Sequence, residues 1–311
     1  MVDIFMRTLP FFAIIGLGYW AGRTRFFPEE ATAYLTKFVF YFALSAMIFR
    51  FSATLPFEEI FDARLIMAYL LGTLAVYIVA SAVAFARKLD TATSAFEAQC
   101  AAIGNVGFLG LPMLAALFGE RAIGVVMLVL AVDLVVFSSL IVILINAGRG
   151  RGVGMQTLKQ VGGGLLRNPM IISITLGMSW SALQFPVPAP LNDFLVILGG
   201  AATPGALFAI GASLAARSAE NMKPAVWLSF AKLVLHPLLV ALAVLILIPL
   251  DPFTAAVTIS AAALPVAGNI YMLAQHYGVA VHRVSASILI STSLSVMSVP
   301  PVIAWVSTLL S

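Results

Sequence analysis

Gly104-Asn105-Val106-Gly107-Phe108-Leu109-Gly110-Leu111-Pro112 lies inside one long apolar segment, and Ala263-Leu264-Pro265-Val266-Ala267-Gly268-Asn269 lies inside another. Each run interrupts its segment with glycine, proline and asparagine. In hydrocarbon an unpaired backbone amide or carbonyl is so costly that a helix is broken only where protein or a wet cavity supplies partners. Two interrupted segments at corresponding places in two halves of a chain point to a solute-binding site near the middle of a bilayer.

The composition around these runs sets the class. Of 311 residues, 62% are hydrophobic and 10% are charged, where a soluble domain carries about 25% charged residues. The mean hydropathy is +1.07. These values describe an all-α polytopic membrane protein. With about 20 apolar residues needed per crossing, ten spans are expected, at 4–22, 32–52, 64–86, 95–118, 122–146, 169–185, 192–216, 225–248, 254–277 and 284–308. The loops between them are too short to fold as soluble domains. Asp3 precedes the first apolar stretch, Arg7 falls within it and no small-residue cleavage site follows, so that stretch reads as a retained span. Cys100 is the only cysteine, so no disulfide forms within the chain.

The net charge of +4 comes from basic residues scattered among loops, which argues against nucleic acid as a partner. Arg23, Arg25, Arg87, Lys88, Arg149, Arg151, Lys159, Arg167, Arg217, Lys223 and Arg283 follow odd-numbered spans. After even-numbered spans there are only Arg64 and Arg121, with Arg50 at a span end, beside Glu58, Glu59, Asp62, Asp193 and Asp251. The positive-inside rule then puts the odd loops in the cytoplasm and both termini outside.

Sliding the chain along itself by 159 residues brings Pro10 onto Pro169, Leu17 onto Leu176 and Gly18 onto Gly177. Phe49 falls on Phe208, Ala53 on Ala212, and Met113, Leu114, Ala115 and Gly119 on Met272, Leu273, Ala274 and Gly278. One offset persisting along most of the chain indicates an internal repeat. Residues 1–146 hold the first five spans, 147–168 a cytoplasmic linker and 169–311 the second five. Five is odd, so the second copy enters the membrane inverted. The two interrupted helices, spans four and nine, are then symmetry mates that cross near mid-depth.

A half-helix that begins inside the membrane exposes amides and a partial positive charge, which favour an anion. Pro112 suits a first helical turn, where no amide hydrogen is missed. Gly107, Gly110 and Gly268 allow backbone shapes that other residues resist. Asn105 and Asn269 both donate and accept. With Pro265, these seven residues form the expected substrate site. The structural alternative is a pair of packing kinks, since glycine and proline are frequent in membrane helices.

The run GNVGFLGLP followed by Met113-Leu114, and the later ALPVAGNIYMLAQHYG, resemble the two crossing motifs of the auxin efflux carrier family. Pro204-Gly205-Ala206-Leu207-Phe208-Ala209-Ile210-Gly211 resembles that family's seventh-span motif. The family includes plant auxin carriers and bacterial permeases for malate, malonate and other organic acids. The resemblance covers essentially the whole chain. It implies ten spans in two inverted repeats, an architecture related to the bile-acid–sodium symporters. It also implies a scaffold part (spans 1, 2, 6 and 7), a moving transport part (spans 3–5 and 8–10), an elevator-type mechanism and a homodimer formed through the scaffold. The 147–168 loop is short, unlike the long hydrophilic loop of the plant carriers, which puts auxin itself and regulation by loop phosphorylation in doubt.

Ionisable groups within spans are a second class of candidate. Asp133 lies mid-span, and it either takes up a proton or forms a structural pair. Lys232 and His236 are four residues apart and share a helix face. Lys232 is a charge partner for Asp133 or for a substrate carboxylate, and His236 precedes Pro237. Glu97, Gln99, Gln275 and His276 lie near the crossing as oxygen-bearing or interfacial groups; sodium coupling rests on them, without a dense carboxylate cluster. Ser45, Thr203 and Ser213 either face substrate or pack between helices. Gly18 and Gly22, with Gly211 and Ala215, have small-x-x-x-small spacing, which suits close helix contact within one subunit or between two. Gly148–Gly154 is glycine- and arginine-rich but lacks the phosphate-loop pattern, and reads as a flexible basic loop.

Together these features predict a secondary carrier of small organic anions, carboxylates or auxin-like acids, in a bacterial inner membrane. Its partners are the anion, lipid and a second copy of itself. No cofactor or metal is expected, beyond coupling to a proton or sodium ion. A ligand sensor that keeps the carrier fold without flux is the alternative. An intramembrane enzyme pairing His236 or His276 with Ser213 or Ser260 has no activating motif behind it.

Overall fold

The computed structural model describes residues 2–55, 61–149, 154–217 and 222–310. Glu58, Glu59, Arg151 and the glycines of 150–153 lie outside the described residues. The described chain is helical, with no strand among the described residues beyond one isolated bridge. Its helices are α1 (Val2–Arg23), α2 (Glu29–Thr54), α3 (Ala63–Ala86), α4 (Thr91–Ala102), α5 (Val106–Phe118) and α6 (Arg121–Gly148). They continue with α7 (Met155–Arg167), α8 (Pro169–Ala182), α9 (Ala189–Ala215), α10 (Met222–Leu247), α11 (Pro252–Ala262), α12 (Asn269–Tyr277) and α13 (Val281–Leu310). Seven of them, α1, α2, α3, α6, α9, α10 and α13, are long and apolar enough to cross a membrane. The helices α5, α8 and α11 are shorter and apolar.

The surface agrees with a lipid surround. Leu17, Trp20, Ile78, Ile197 and Met297 are exposed, and a coat of large apolar side chains is stable only where the solvent is itself apolar. Helix starts are set by short polar side chains. Asp62 accepts from the amides of Arg64 and Leu65, Asp90 from Thr93, Asn168 from Met170, and Asp251 from Phe253 and Thr254. Each satisfies donors that the first helical turn leaves without partners. At Asp90, hydrogen bonds from the Thr93 side chain and backbone hold the carboxyl below the usual aspartate range.

The linker differs from the expected loop. Residues Met155–Arg167 form α7, which buries Thr157 and leaves Met155, Leu158 and Leu166 exposed. An apolar stripe on a short polar helix escapes a search for continuous apolar runs, because its periodicity, and not its mean hydropathy, carries the signal.

Two helix contacts organise the packing. Helix α1 lies along α9, and α8 lies along the second half of α2. A Cβ on Gly18 would stand 2.2 Å from the Phe208 carbonyl oxygen and 3.1 Å from the Ala212 nitrogen. A Cβ on Gly177 would stand 2.9 Å from the Phe49 carbonyl oxygen and 3.2 Å from the Ala53 nitrogen. Every residue of the first contact falls on its counterpart in the second under the 159-residue shift. Gly22 meets Ala212 and Ala215, and Gly211 meets Ile15. The small-residue spacing therefore serves contact within one subunit. Glycine is required here because the neighbour is backbone, which cannot move aside as a side-chain tip can.

Candidate functional site

Helices α4 and α5 are separated by Ile103–Asn105, and α11 and α12 by Ala263–Gly268. The two gaps pair with each other. The Asn105 amide donates to the Pro265 carbonyl at 2.8 Å, the Ala267 amide donates to the Ile103 carbonyl at 3.1 Å, and Gly104 stands opposite Val266 as an antiparallel bridge. Each break thus supplies the partners that the other lacks, which meets the demand for satisfied backbone in an apolar medium. The Val266 amide donates to Ser291 Oγ of α13. The Asn105 carbonyl accepts from Leu109 and Gly110, opening α5 with a π turn over Val106–Gly110. Pro112 follows that turn and has no amide hydrogen to return to Phe108, so the widened turn loses nothing.

The seven expected site residues divide. Asn105, Gly107 and Asn269 line a cavity of about 50 Å³ with Asp133, Asn168 and Met170. Asn105, Gly268 and Asn269 line a second cavity of about 330 Å³ between α2, α9 and α12, and Asn269 reaches a third of about 350 Å³ bordered by α6 and α7. Gly110, Pro112 and Pro265 border none of these three. Gly110 makes room for Leu264, whose Cδ1 would be 2.5 Å from an added Cβ. Pro112 is buried in α5, and Pro265 presents its carbonyl to Asn105. These three shape the crossing, and the two asparagines face open space.

Beside the crossing lies a buried polar cluster. Lys232 is wholly buried in α10, and its Nζ donates to the Ala262 carbonyl at 2.6 Å and to His236 Nδ1 at 2.9 Å. Ala262 is the last residue of α11, so the ammonium caps a half-helix at its negative end. With Nδ1 accepting, His236 Nε2 carries the ring hydrogen and donates to Thr73 Oγ1 at 3.0 Å. Gly104 is part of this arrangement, because a Cβ there would stand 3.2 Å from Lys232 Nζ. On the other side, Tyr69 donates its hydroxyl to Asp133 Oδ1 at 2.9 Å. Asp133 Oδ2 is buried without a hydrogen-bond partner, beside the cavity that Asn105 and Asn269 line. Asp133 and Lys232 attract each other through the interior without a direct ion pair.

Sequence reasoning singled out Asp133, Lys232 and His236, and Gly104 only as part of the broken run, but did not name Tyr69, Thr73 or Ser291. Tyr69 and Thr73 are four apart on one face of α3, the one sequence signal that would have joined them. Gln99 lines the third cavity with its buried Oε1 unpaired, whereas three serines are spent locally. Ser45 bonds to Phe40, Ser213 to Ile210 and Ser260 to Ala256, all backbone carbonyls of their own helices. Neither Ser213 nor Ser260 is activated by a histidine. His276 is exposed beside Tyr277. No group of three metal-ligating side chains occurs among the described residues.

A family model described as "Membrane transport protein" matches residues 3–303. The chain belongs to this family of membrane transporters. It is the auxin efflux carrier and malonate permease group that the crossing motifs resemble. A Rhizobium meliloti protein described as "Putative malonate transporter" is 33% identical over 305 residues, covering 96% of this chain and 94% of that protein. The "Uncharacterized transporter YfdV" of Escherichia coli K12 is 26% identical over 310 residues, 97% of each chain.

In this transporter Glu97 is a fastening and not a free carboxylate. It is buried in α4 and pairs with Arg87 at the end of α3 and, at 2.6 Å, with Arg283 of α13. Both arginines keep partial contact with water, so they stay solvated when the carboxylate is lost. Glu97→Gln is accordingly expected to cost about 1–3 kcal/mol, the worth of charged hydrogen bonds, and not the larger cost of stranding a buried ion. Thermal unfolding in detergent checks this; an unchanged midpoint would mean that the three groups merely sit together.

Proposed function

We propose that the protein is a secondary carrier of small organic anions that binds its substrate where the two broken helices meet. The observation that carries this reading is the pairing of the breaks through backbone hydrogen bonds, with Asn105 and Asn269 turned to adjoining cavities. Two interrupted helices that satisfy each other leave side-chain amides and the start of α12 available to a carboxylate. The name of the Rhizobium meliloti relative points to the same substrate class.

The exchange-related contacts of Gly18 and Gly177 support two inverted five-span repeats, with α4–α5 and α11–α12 as spans four and nine of ten. On this reading α1, α2, α8 and α9 are the scaffold, and the remaining spans slide against them as an elevator. A dimer forms through the scaffold, in the bacterial inner membrane, with both termini outside. Asp133 is the proposed proton carrier, because one of its oxygens has no partner and the residue lines a cavity with room for water. Tyr69 and, at longer range, Lys232 are the groups that face it.

Uptake of labelled carboxylates into proteoliposomes, with and without proton and sodium gradients, tests the reading. A carrier accumulates label; binding without accumulation would indicate the sensor, and chemical change of the label an enzyme. Asn105→Ala and Asn269→Ala are expected to slow uptake by about tenfold or more, the equivalent of one charged hydrogen bond each, with thermal stability kept. Wild-type rates in both would remove the asparagines from the site. Uptake by Asp133→Asn is expected to lose its response to a proton gradient. A response as strong as that of the parent would assign coupling to another group.

A further inference from the structure

Arg217, counted by sequence as a loop charge, follows the last turn of α9 and turns inward. Its guanidinium lies over the Tyr271 ring of α12, 4.3 Å from the centroid. Its Nε and Nη1 are shut off from solvent and have no hydrogen-bond partner. It lines the cavity of about 330 Å³ that Asn105 and Asn269 also line. Glu29 is the one carboxylate lining that cavity among the described residues; it is exposed and makes no ion pair with Arg217. A guanidinium always carries its charge, and leaving its hydrogens without acceptors inside a protein is costly unless an anion visits. Its planar fork matches a carboxylate.

We propose that Arg217 holds a second carboxylate of the transported anion, and so makes a short dicarboxylate such as malonate the preferred substrate over a monocarboxylate. The inference rests on the carrier reading above, in which Asn105 and Asn269 take the first carboxylate. One cavity then offers amides at the crossing and, just past the end of α9, a guanidinium, with Lys37 of α2 also on its wall. A monocarboxylate satisfies either the amides or the guanidinium and leaves the other without an acceptor.

The test measures uptake of labelled malonate and labelled propionate by purified full-length protein in proteoliposomes, for wild type, Arg217→Gln and Arg217→Lys. Arg217→Gln is expected to raise the malonate KM by about ten- to a hundredfold, as loss of a charged hydrogen bond does. The propionate KM is expected to change by less than about threefold, so the malonate preference collapses. Arg217→Lys keeps the charge without the fork and is expected to fall between. A fall in maximal rate with both KM values unchanged would make Arg217 a latch on Tyr271 and overturn the proposal, as would equal changes for both acids. Should Arg217→Gln not reconstitute, Arg217→Lys decides, and an unchanged malonate-to-propionate ratio overturns the proposal. Wild-type uptake of propionate but not malonate defeats this inference alone. Uptake of no carboxylate in a wider panel defeats the carrier reading and this inference together.

Discussion

Exchanging Gly211 for leucine is expected to prevent the chain from reaching a folded, monodisperse state in detergent. A Cβ at Gly211 would lie 1.9 Å from the Ile15 carbonyl oxygen and 2.8 Å from its carbonyl carbon and the Tyr19 nitrogen. All three are backbone atoms of α1, so relief requires the two helices to separate. Ordinary overpacking of a core costs about 1–3 kcal/mol because side chains give way; here they are not the obstacle, and the cost exceeds that range. Within a bilayer, close packing and not the hydrophobic effect holds helices together, so separating α1 from α9 removes the interaction that sustains the contact. Gly16 supplies the control. It lies in α1, the helix that Gly211 packs against, with open space around its Cβ position, and Gly16→Leu is expected to shift stability by no more than about 0.5 kcal/mol. Size-exclusion profiles and thermal midpoints compare the two. A Gly211→Leu protein that elutes and melts like wild type would show that α1 and α9 do not pack as described.

Lys232→Met is expected to destabilise the transporter by about 3–5 kcal/mol, the usual cost of removing one partner from a buried charge network. Three losses coincide. The Ala262 carbonyl at the end of α11 loses its donor, His236 Nδ1 loses its own, and the Asp133 carboxylate loses the cation that offsets it. Methionine fills much the same volume, so the effect isolates charge and hydrogen bonding from packing. Adding Asp133→Asn to Lys232→Met is expected to recover part of the loss, since it removes the buried carboxylate that has lost its cation. Thermal unfolding of the two single variants and the double variant forms a cycle that measures the coupling. Additive effects would mean that the two charges are independent, and a Lys232→Met protein as stable as its parent would remove the ammonium cap from the account of α11.

Much of this molecule is readable along the chain. The predicted spans 64–86 and 122–146 differ by two residues or fewer from Ala63–Ala86 and Arg121–Gly148. Hydropathy sums over neighbours and needs no tertiary partner. The breaks were equally plain, because glycine, proline and asparagine disrupt a helix wherever they fall. The glycines of α1 and α9 were legible only as small-residue spacing. Choosing between contact within a subunit and contact between subunits needs the positions of both helices, and α1 and α9 are nearly two hundred positions apart in the chain.

By itself, then, the sequence determined a helical membrane protein with two interrupted segments, and pointed to Asn105, Asn269, Asp133, Lys232 and His236. The tertiary structure alone decided that the two gaps hydrogen-bond to each other, that Lys232 caps α11, and that Gly110 and Pro265 shape the crossing without facing a cavity. It also turned Arg217 inward, at a helix end where one residue more or less separates a loop charge from a cavity wall. The division has one cause. Burial in lipid and helix breaking are local properties of a segment, whereas the partner of a freed amide or a buried charge is whatever distant residue the packing brings within about 3 Å.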